Sequence, residues 1–180
     1  MIKNFLLSLS ALVLLVLPAS AHEKTITVTQ DLTLGTLTGV ASVHDWLYMA
    51  GQPDQETIKG LKNDGFEVVF NIRGLDEGSF DEKTLVEENG MTYYQVPLLK
   101  DGAMDPQAVK DIFAVIQKNR GKKILFHCSS GNRIGAWFAA HLIQDDGYET
   151  EAAISLGKQA GITRSGTEKM LRTYLASLTK

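Results

Sequence analysis

The chain has 180 residues, 44% of them apolar, and carries 18 Lys and Arg against 21 Asp and Glu for a net charge of −3. This is enough for one domain with its own core, and no basic stripe with interleaved aromatics points to a nucleic-acid partner. A lone cysteine, Cys128, excludes a disulfide framework within one copy of the chain.

The chain opens as a targeting segment. Lys3 supplies a positive start, Phe5 to Leu17 is uncharged, and Pro18-Ala19-Ser20-Ala21 has the small-x-small pattern read by signal peptidase. The apolar run is short of the roughly twenty residues that a membrane span needs. Residues 1–21 therefore read as a cleaved signal peptide. The mature chain, 22–180, is expected to be periplasmic or secreted, with no membrane span and with its oligomeric state open. His22 would become the mature N-terminus. It and the scattered His44 and His141 form no metal-ligand spacing.

Next, Thr25 to Thr38 alternates loosely with Ile26, Val28, Leu32, Leu34 and Leu37, as an edge strand or extended arm would. Asp45 to Met49 reads as a short strand ending at Gly51-Gln52-Pro53. Asp54 then caps a helix through about Asn63, stopped by Gly65. Glu67 to Ile72 is mostly apolar and partly β-branched, as expected of a strand buried on both faces. A loop through Arg73 to Glu77 leads to a short helix, about Asp81 to Glu88, and Met91 to Val96 is the next strand. Asp105-Pro106 opens a helix with Val109, Ile112, Phe113 and Ile116 on one side. Lys122 to Phe126 is a strand that runs into His127-Cys128.

Beyond the cysteine, Ile134 to Gln144 is apolar nearly all round, the mark of a buried central helix, with Trp137 and Phe138 in the core. Helices also fit Thr150 to Gln159 and Ser165 to Leu178, the last with a capping box Ser165-Gly-Thr-Glu168. Strands alternating with helices predict a single α/β domain around a mostly parallel sheet flanked by helices.

A strand delivers Cys128, the loop Ser129-Ser130-Gly131-Asn132-Arg133 turns sharply, and a helix follows. Ligands of open α/β sheets bind at the carboxyl ends of the strands, where this loop must sit. Backbone N–H groups of Ser129 to Arg133 can converge on an anion, with a helix N-terminus adding positive field. Gly131 permits the torsion such a nest requires. Arg133 offers a planar fork for an oxyanion. The same field favours a Cys128 thiolate, nucleophile and leaving group in one. The bland reading, an inert cysteine at a strand end, leaves the glycine and arginine at fixed offsets unexplained. Arg73, at the carboxyl end of another strand, is either a second pocket cation or half of a surface salt bridge.

These residues resemble the cysteine-dependent phosphatases of the tyrosine and dual-specificity kind, and most of all the bacterial phosphatase domain named after beta-lactamase-hydrolase-like proteins, also labelled sulfurtransferase-like. The likeness spans about 45–178. It rests on Ala50-Gly51-Gln52-Pro53, Val69-Phe70-Asn71-Ile72-Arg73, Tyr94-Gln95-Val96-Pro97 and the His127-Cys128 loop. It implies a Cys128 nucleophile, loop amides and Arg133 holding the phosphoryl oxygens, His127 ordering the loop, and an Asp general acid after the strand that ends in proline. Asp101 stands at that place, with an ordinary turn residue as its other reading; Asp105 is explained by capping. No cofactor or metal is called for.

The chain departs from the phosphatase signature in two ways. Four residues, not five, separate Cys128 from Arg133, and Ile134 follows where the family has Ser or Thr. A loop of this length resembles that of the rhodanese sulfurtransferases. The expected function is hydrolysis of a phosphate ester through Cys128. The alternatives are sulfane-sulfur transfer through a Cys128 persulfide and a non-catalytic anion-binding module.

Overall fold

The structure, a computed structural model, describes residues 26–178. The signal segment and His22 lie outside the described residues.

Among the described residues, eight strands and six α-helices form the domain. The main sheet has six strands in the order β1 (Val28–Leu34), β2 (Leu37–Val43), β3 (Leu47–Ala50), β8 (Ile124–His127), β4 (Val68–Asn71) and β5 (Thr92–Gln95). β3, β8, β4 and β5 run parallel, whereas β1 and β2 add an antiparallel hairpin at one edge. The sheet is thus mostly parallel, as predicted, but it begins two strands ahead of Asp45. The Thr-rich stretch supplies the edge strand β1, as expected, but its end already belongs to β2, because the chain turns back at Gly35-Thr36. Irregular register in β1 blurs the alternation that marks a strand. The turn is stitched to the next helix: Thr36 Oγ1 donates to Asp54 Oδ2 (2.7 Å) and Thr36 N to Thr57 Oγ1 (3.1 Å).

Helices cover both faces. α1 (Gln55–Leu61) and α2 (Glu82–Glu88) pack on one, with Val69 and Leu125 pointing into their layer. α3 (Pro106–Lys118), α4 (Asn132–Gln144), α5 (Thr150–Gln159) and α6 (Ser165–Leu178) lie on the other, where Val68, Phe70, Ile124 and Phe126 point. Successive residues of β4 and β8 thus enter opposite layers, and every residue of both strands is buried. Trp137 is core, as expected, its Nε1 donating to the carbonyl of Val109 at 3.0 Å. No described helix is long and apolar enough to cross a membrane.

Several expected boundaries move by a residue or two, and two of them bear on the site. α4 starts at Asn132, two residues before Ile134, so Arg133 belongs to its first turn. α6 starts at Ser165, which is the first helical residue and not the cap, while Glu168 pairs with Lys158 and Arg172 instead of closing a capping box. The N–H groups of Thr163 and Arg164 are satisfied by Asn132 Oδ1, which brings the chain into the helix early.

α4 and α5 touch through bare backbone. A Cβ on Gly135 would lie 2.4 Å from the carbonyl oxygen of Gly157 and 2.8 Å from the nitrogen of Ile162. Gly135→Ala should therefore destabilise the fold by about 1–3 kcal/mol, the range for overpacked interiors. Urea unfolding will measure it; a change under about 0.5 kcal/mol would show that the two helices separate freely.

Candidate active site

β8 ends at His127, and Cys128 follows, buried, its N–H donating to the carbonyl of Ala50 at 3.3 Å. The loop is then pinned to the end of β3: Gln52 N donates to the Ser129 carbonyl (3.2 Å), and Gly51 forms a bridge with Ser130. Gly131 turns the chain with φ 79° and ψ −22°, the left-handed conformation that favours glycine. Asn132, Arg133 and Ile134 then form the first turn of α4. The earliest bond of that helix runs from Gly135 N to the Gly131 carbonyl, so the N–H groups of these three have no acceptor within it. The strand, the tight loop and the helix start stand in the predicted order at the carboxyl ends of the parallel strands.

Arg133 reaches back across the loop. Its Nη1 and Nη2 each donate to one oxygen of Glu77 at 2.6 Å, and Nη2 also donates to Ser129 Oγ at 2.7 Å. Ser129 Oγ in turn donates to Glu77 Oε2 at 3.1 Å. Glu77 ends a short 3-10 turn, Leu75–Glu77, in the loop after β4. The Arg133 pairing holds its carboxyl down at about 2, against the opposing effect of burial. The same pairing pushes Arg133 upward, against the effect of burial.

Behind the loop lies a buried polar network centred on Glu82, the first residue of α2. Gln52 Nε2 donates to Glu82 Oε1 (2.6 Å), while Asn71 Nδ2 (2.8 Å) and the Tyr93 hydroxyl (3.1 Å) donate to Oε2. Arg73 Nη2 stands 3.5 Å from Oε2. His127 Nε2 is 3.3 Å from Oε1, out of line for a hydrogen bond. Burial alone would raise the Glu82 carboxyl; His127, Gln52 and Arg73 outweigh it and hold the group at about 2. Burial pushes Tyr93 up, so its hydroxyl stays a donor.

The expected site residues separate into groups. Cys128, Ser129, Ser130, Gly131 and Arg133 come together in one loop and helix start. The side chain of Asn132 ties the loop to the segment before α6: its Nδ2 donates to the Ser130 carbonyl and Oγ (3.4 Å each) and to Thr163 Oγ1 (3.1 Å), while its Oδ1 accepts from the Thr163 and Arg164 N–H groups. What Asn132 has for an anion is its backbone N–H. Arg73 is neither a free pocket cation nor a surface salt bridge: it is buried, paired with Glu82, and donates from Nη1 to the Glu77 carbonyl (2.9 Å). His127 is buried against the same network. Asp101 sits at the exposed tip of the small hairpin β6 (Leu99–Lys100) and β7 (Ala103–Met104). Its φ of 51° and the 78° of Gly102 are those of a two-residue Asp-Gly turn. Among the described residues no hydrogen bond or ion pair ties it to the cysteine loop. Glu77, Glu82 and Tyr93 escaped the sequence reading, since nothing local distinguishes a carboxylate that pairs with a residue dozens of positions away.

No family model matches the chain, and no curated protein matches it. Solved structures do. A Shewanella putrefaciens CN-32 protein of the DUF442 family, described as a candidate phosphatase, superposes with a TM-score of 0.58 at 21% identity, covering 77% of this chain and 89% of its own. P. aeruginosa TpbA gives 0.60 at 18%, with 74% and 83% covered. The kinase associated phosphatase, crystallised with its catalytic-site cysteine replaced by serine, gives 0.59 at 21%, with 74% and 87% covered. These structures lend no support to the sulfurtransferase label. The chain has the fold of the cysteine-based phosphatases of the dual-specificity kind.

Proposed function

We propose that the protein is a phosphate-ester hydrolase that works through a Cys128 thiolate, exported by residues 1–21 and active as the chain 22–180. One observation carries the reading. Beside Cys128, at the start of α4, Arg133 and Ser129 already gather two oxygens of one anion, the grip that a phosphoryl group requires. The fold supports the same chemistry.

In this reading the phosphoryl oxygens are held by Arg133 and by N–H groups of the loop and helix start. The Cys128 sulfur attacks phosphorus and the ester P–O bond breaks. The leaving oxygen takes a proton, which we assign to Asp101. Water then attacks the cysteinyl phosphate, the S–P bond breaks, and phosphate leaves as the thiolate is restored. Ile134, buried and next in the chain after Arg133, offers no hydroxyl to ease departure of the sulfur. The second step should therefore be the slow one.

The test is p-nitrophenyl phosphate with reduced protein and no added cofactor. A burst of nitrophenol close to one equivalent, followed by slower release of phosphate, is expected. Absence of turnover from folded, reduced protein would sink the proposal. Asp101→Asn should slow alkyl phosphates by about 10²-fold or more and aryl phosphates far less, because only the poorer leaving group needs the proton. Equal slowing of both would remove Asp101 from the proton path.

A further inference from the structure

The first turn of α4 has no cap. Its N-cap, Gly131, has no side chain to bond the N–H groups of Asn132, Arg133 and Ile134. A side-chain cap would fill the donors that a phosphate uses, so this helix start has to be secured by other groups. We propose that Asn132 is the positioning residue that does so, its side chain riveting the start of α4 to the entry of α6 so that Arg133 and the open N–H groups keep their aim. The proposal rests on the reading of this loop as a phosphate site.

The geometry is that of a clamp. Asn132 is buried, and its Oδ1 accepts from the N–H groups of both Thr163 and Arg164 at 3.0 Å each. Two N–H donors can face only an oxygen, so the side-chain amide has a single orientation. Nδ2 then points to Thr163 Oγ1 at 3.1 Å and, over a longer 3.4 Å, to the carbonyl and hydroxyl of Ser130. The two Oδ1 bonds are the short ones shared with main chain, and they carry the clamp. They also serve α6, whose entry holds N–H groups that the helix itself cannot satisfy.

The anchor itself is stiff. Gly161 N–H donates to the Lys158 carbonyl (3.2 Å) and Ile162 N–H to the Gly157 carbonyl (3.0 Å), while the Ile162 side chain is buried. Gly161 also packs directly on the loop: a Cβ there would lie 2.8 Å from the Gly131 carbonyl oxygen. The short connection from α5 to α6 thus buttresses the cysteine loop twice, through bare backbone at Gly131 and through the Asn132 amide. Arg133 is the next residue along, so a shift at Asn132 would move the guanidinium and the open N–H groups together.

Two variants separate the clamp from the charge. Asn132→Ala removes the clamp, whereas Asn132→Asp keeps an acceptor for Thr163 and Arg164 and adds a charge that opposes an anion. Both are assayed with p-nitrophenyl phosphate at a temperature where circular dichroism shows them folded. Asn132→Ala should lose about 10²-fold in kcat, the scale of a misplacement near 1 Å. Inorganic phosphate should bind it about tenfold more weakly by isothermal titration. Asn132→Asp should return kcat to within about fivefold of the wild type while KM stays raised, a split that a purely structural role does not produce. Should Asn132→Ala not fold, Asn132→Ser, too short to reach both N–H groups, takes its place with the same expectation. If kcat and phosphate affinity of the folded clamp-free variant stay within about threefold of the wild type, Asn132 serves stability alone and the proposal is overturned. An equal loss of kcat in Asn132→Asp overturns it as well. If the wild type neither binds phosphate nor turns over the ester, the phosphate-site reading falls and this role with it.

Discussion

Cys128→Ser should abolish measurable p-nitrophenyl phosphate turnover, a loss of about 10⁴-fold or more, as expected when the nucleophile itself is removed. Serine matches the shape of cysteine, but its hydroxyl stays protonated where a thiol can ionise. Cys128 is buried where β8 ends, and its backbone N–H bond to Ala50 does not depend on the sulfur. The variant should fold normally and still bind inorganic phosphate, since Arg133, Ser129 and the helix start are untouched. Steady-state assays and isothermal titration check the two halves separately. Turnover above about one hundredth of the wild type would place the nucleophile elsewhere, while loss of binding along with turnover would indicate that the loop had rearranged.

Glu82→Ala should lower the unfolding free energy by about 3–5 kcal/mol, the cost of removing one partner from a buried ion pair. Against the 5–15 kcal/mol of an ordinary domain, that is a large share. The change strips the carboxylate from Arg73 and leaves the donors on Gln52, Asn71 and Tyr93 facing a hole. The urea midpoint should drop accordingly. A shift of less than about 1 kcal/mol would mean that the network is dispensable.

The same residue predicts an acid response. Its folded carboxyl lies at about 2, below the ordinary 4.5, so the stability it provides is complete above that ordinary value. As pH falls from there toward 2, the folded state must surrender that advantage, on the order of 3 kcal/mol. Glu77 is lowered in the same direction but contributes less, being partly exposed to solvent. Urea midpoints followed from neutral pH down to about 2 should fall for the wild type and fall less for Glu82→Ala, which has already lost the larger contribution. Parallel slopes would remove Glu82 as the source.

The elements were legible wherever apolar pattern and caps agree. β4, β8, α3 and α4 follow from continuous apolar runs, from Asp105-Pro106 and from the small apolar residues after Arg133. The β1–β2 hairpin was harder to see, because its register slips twice and one face of β1 is mostly exposed. A period of two survives only where the pairing is regular. Likewise, Ser165 is not the cap of its helix because Asn132, more than thirty residues earlier, bonds to the backbone just before it.

By itself the sequence determined that a strand, a cysteine, a tight glycine turn and an arginine come in that order, and hence that Cys128 and Arg133 share one loop. That information is local: torsion, spacing and apolar runs act between near neighbours along the chain. Only the tertiary structure decided what the charges do. It pairs Arg133 with Glu77 across 56 positions, draws Arg73 out of the pocket to Glu82, and turns the Asn132 side chain toward the loop before α6. A carboxylate finds its partner by distance in the folded molecule, after hydrophobic packing has fixed where the strand ends meet.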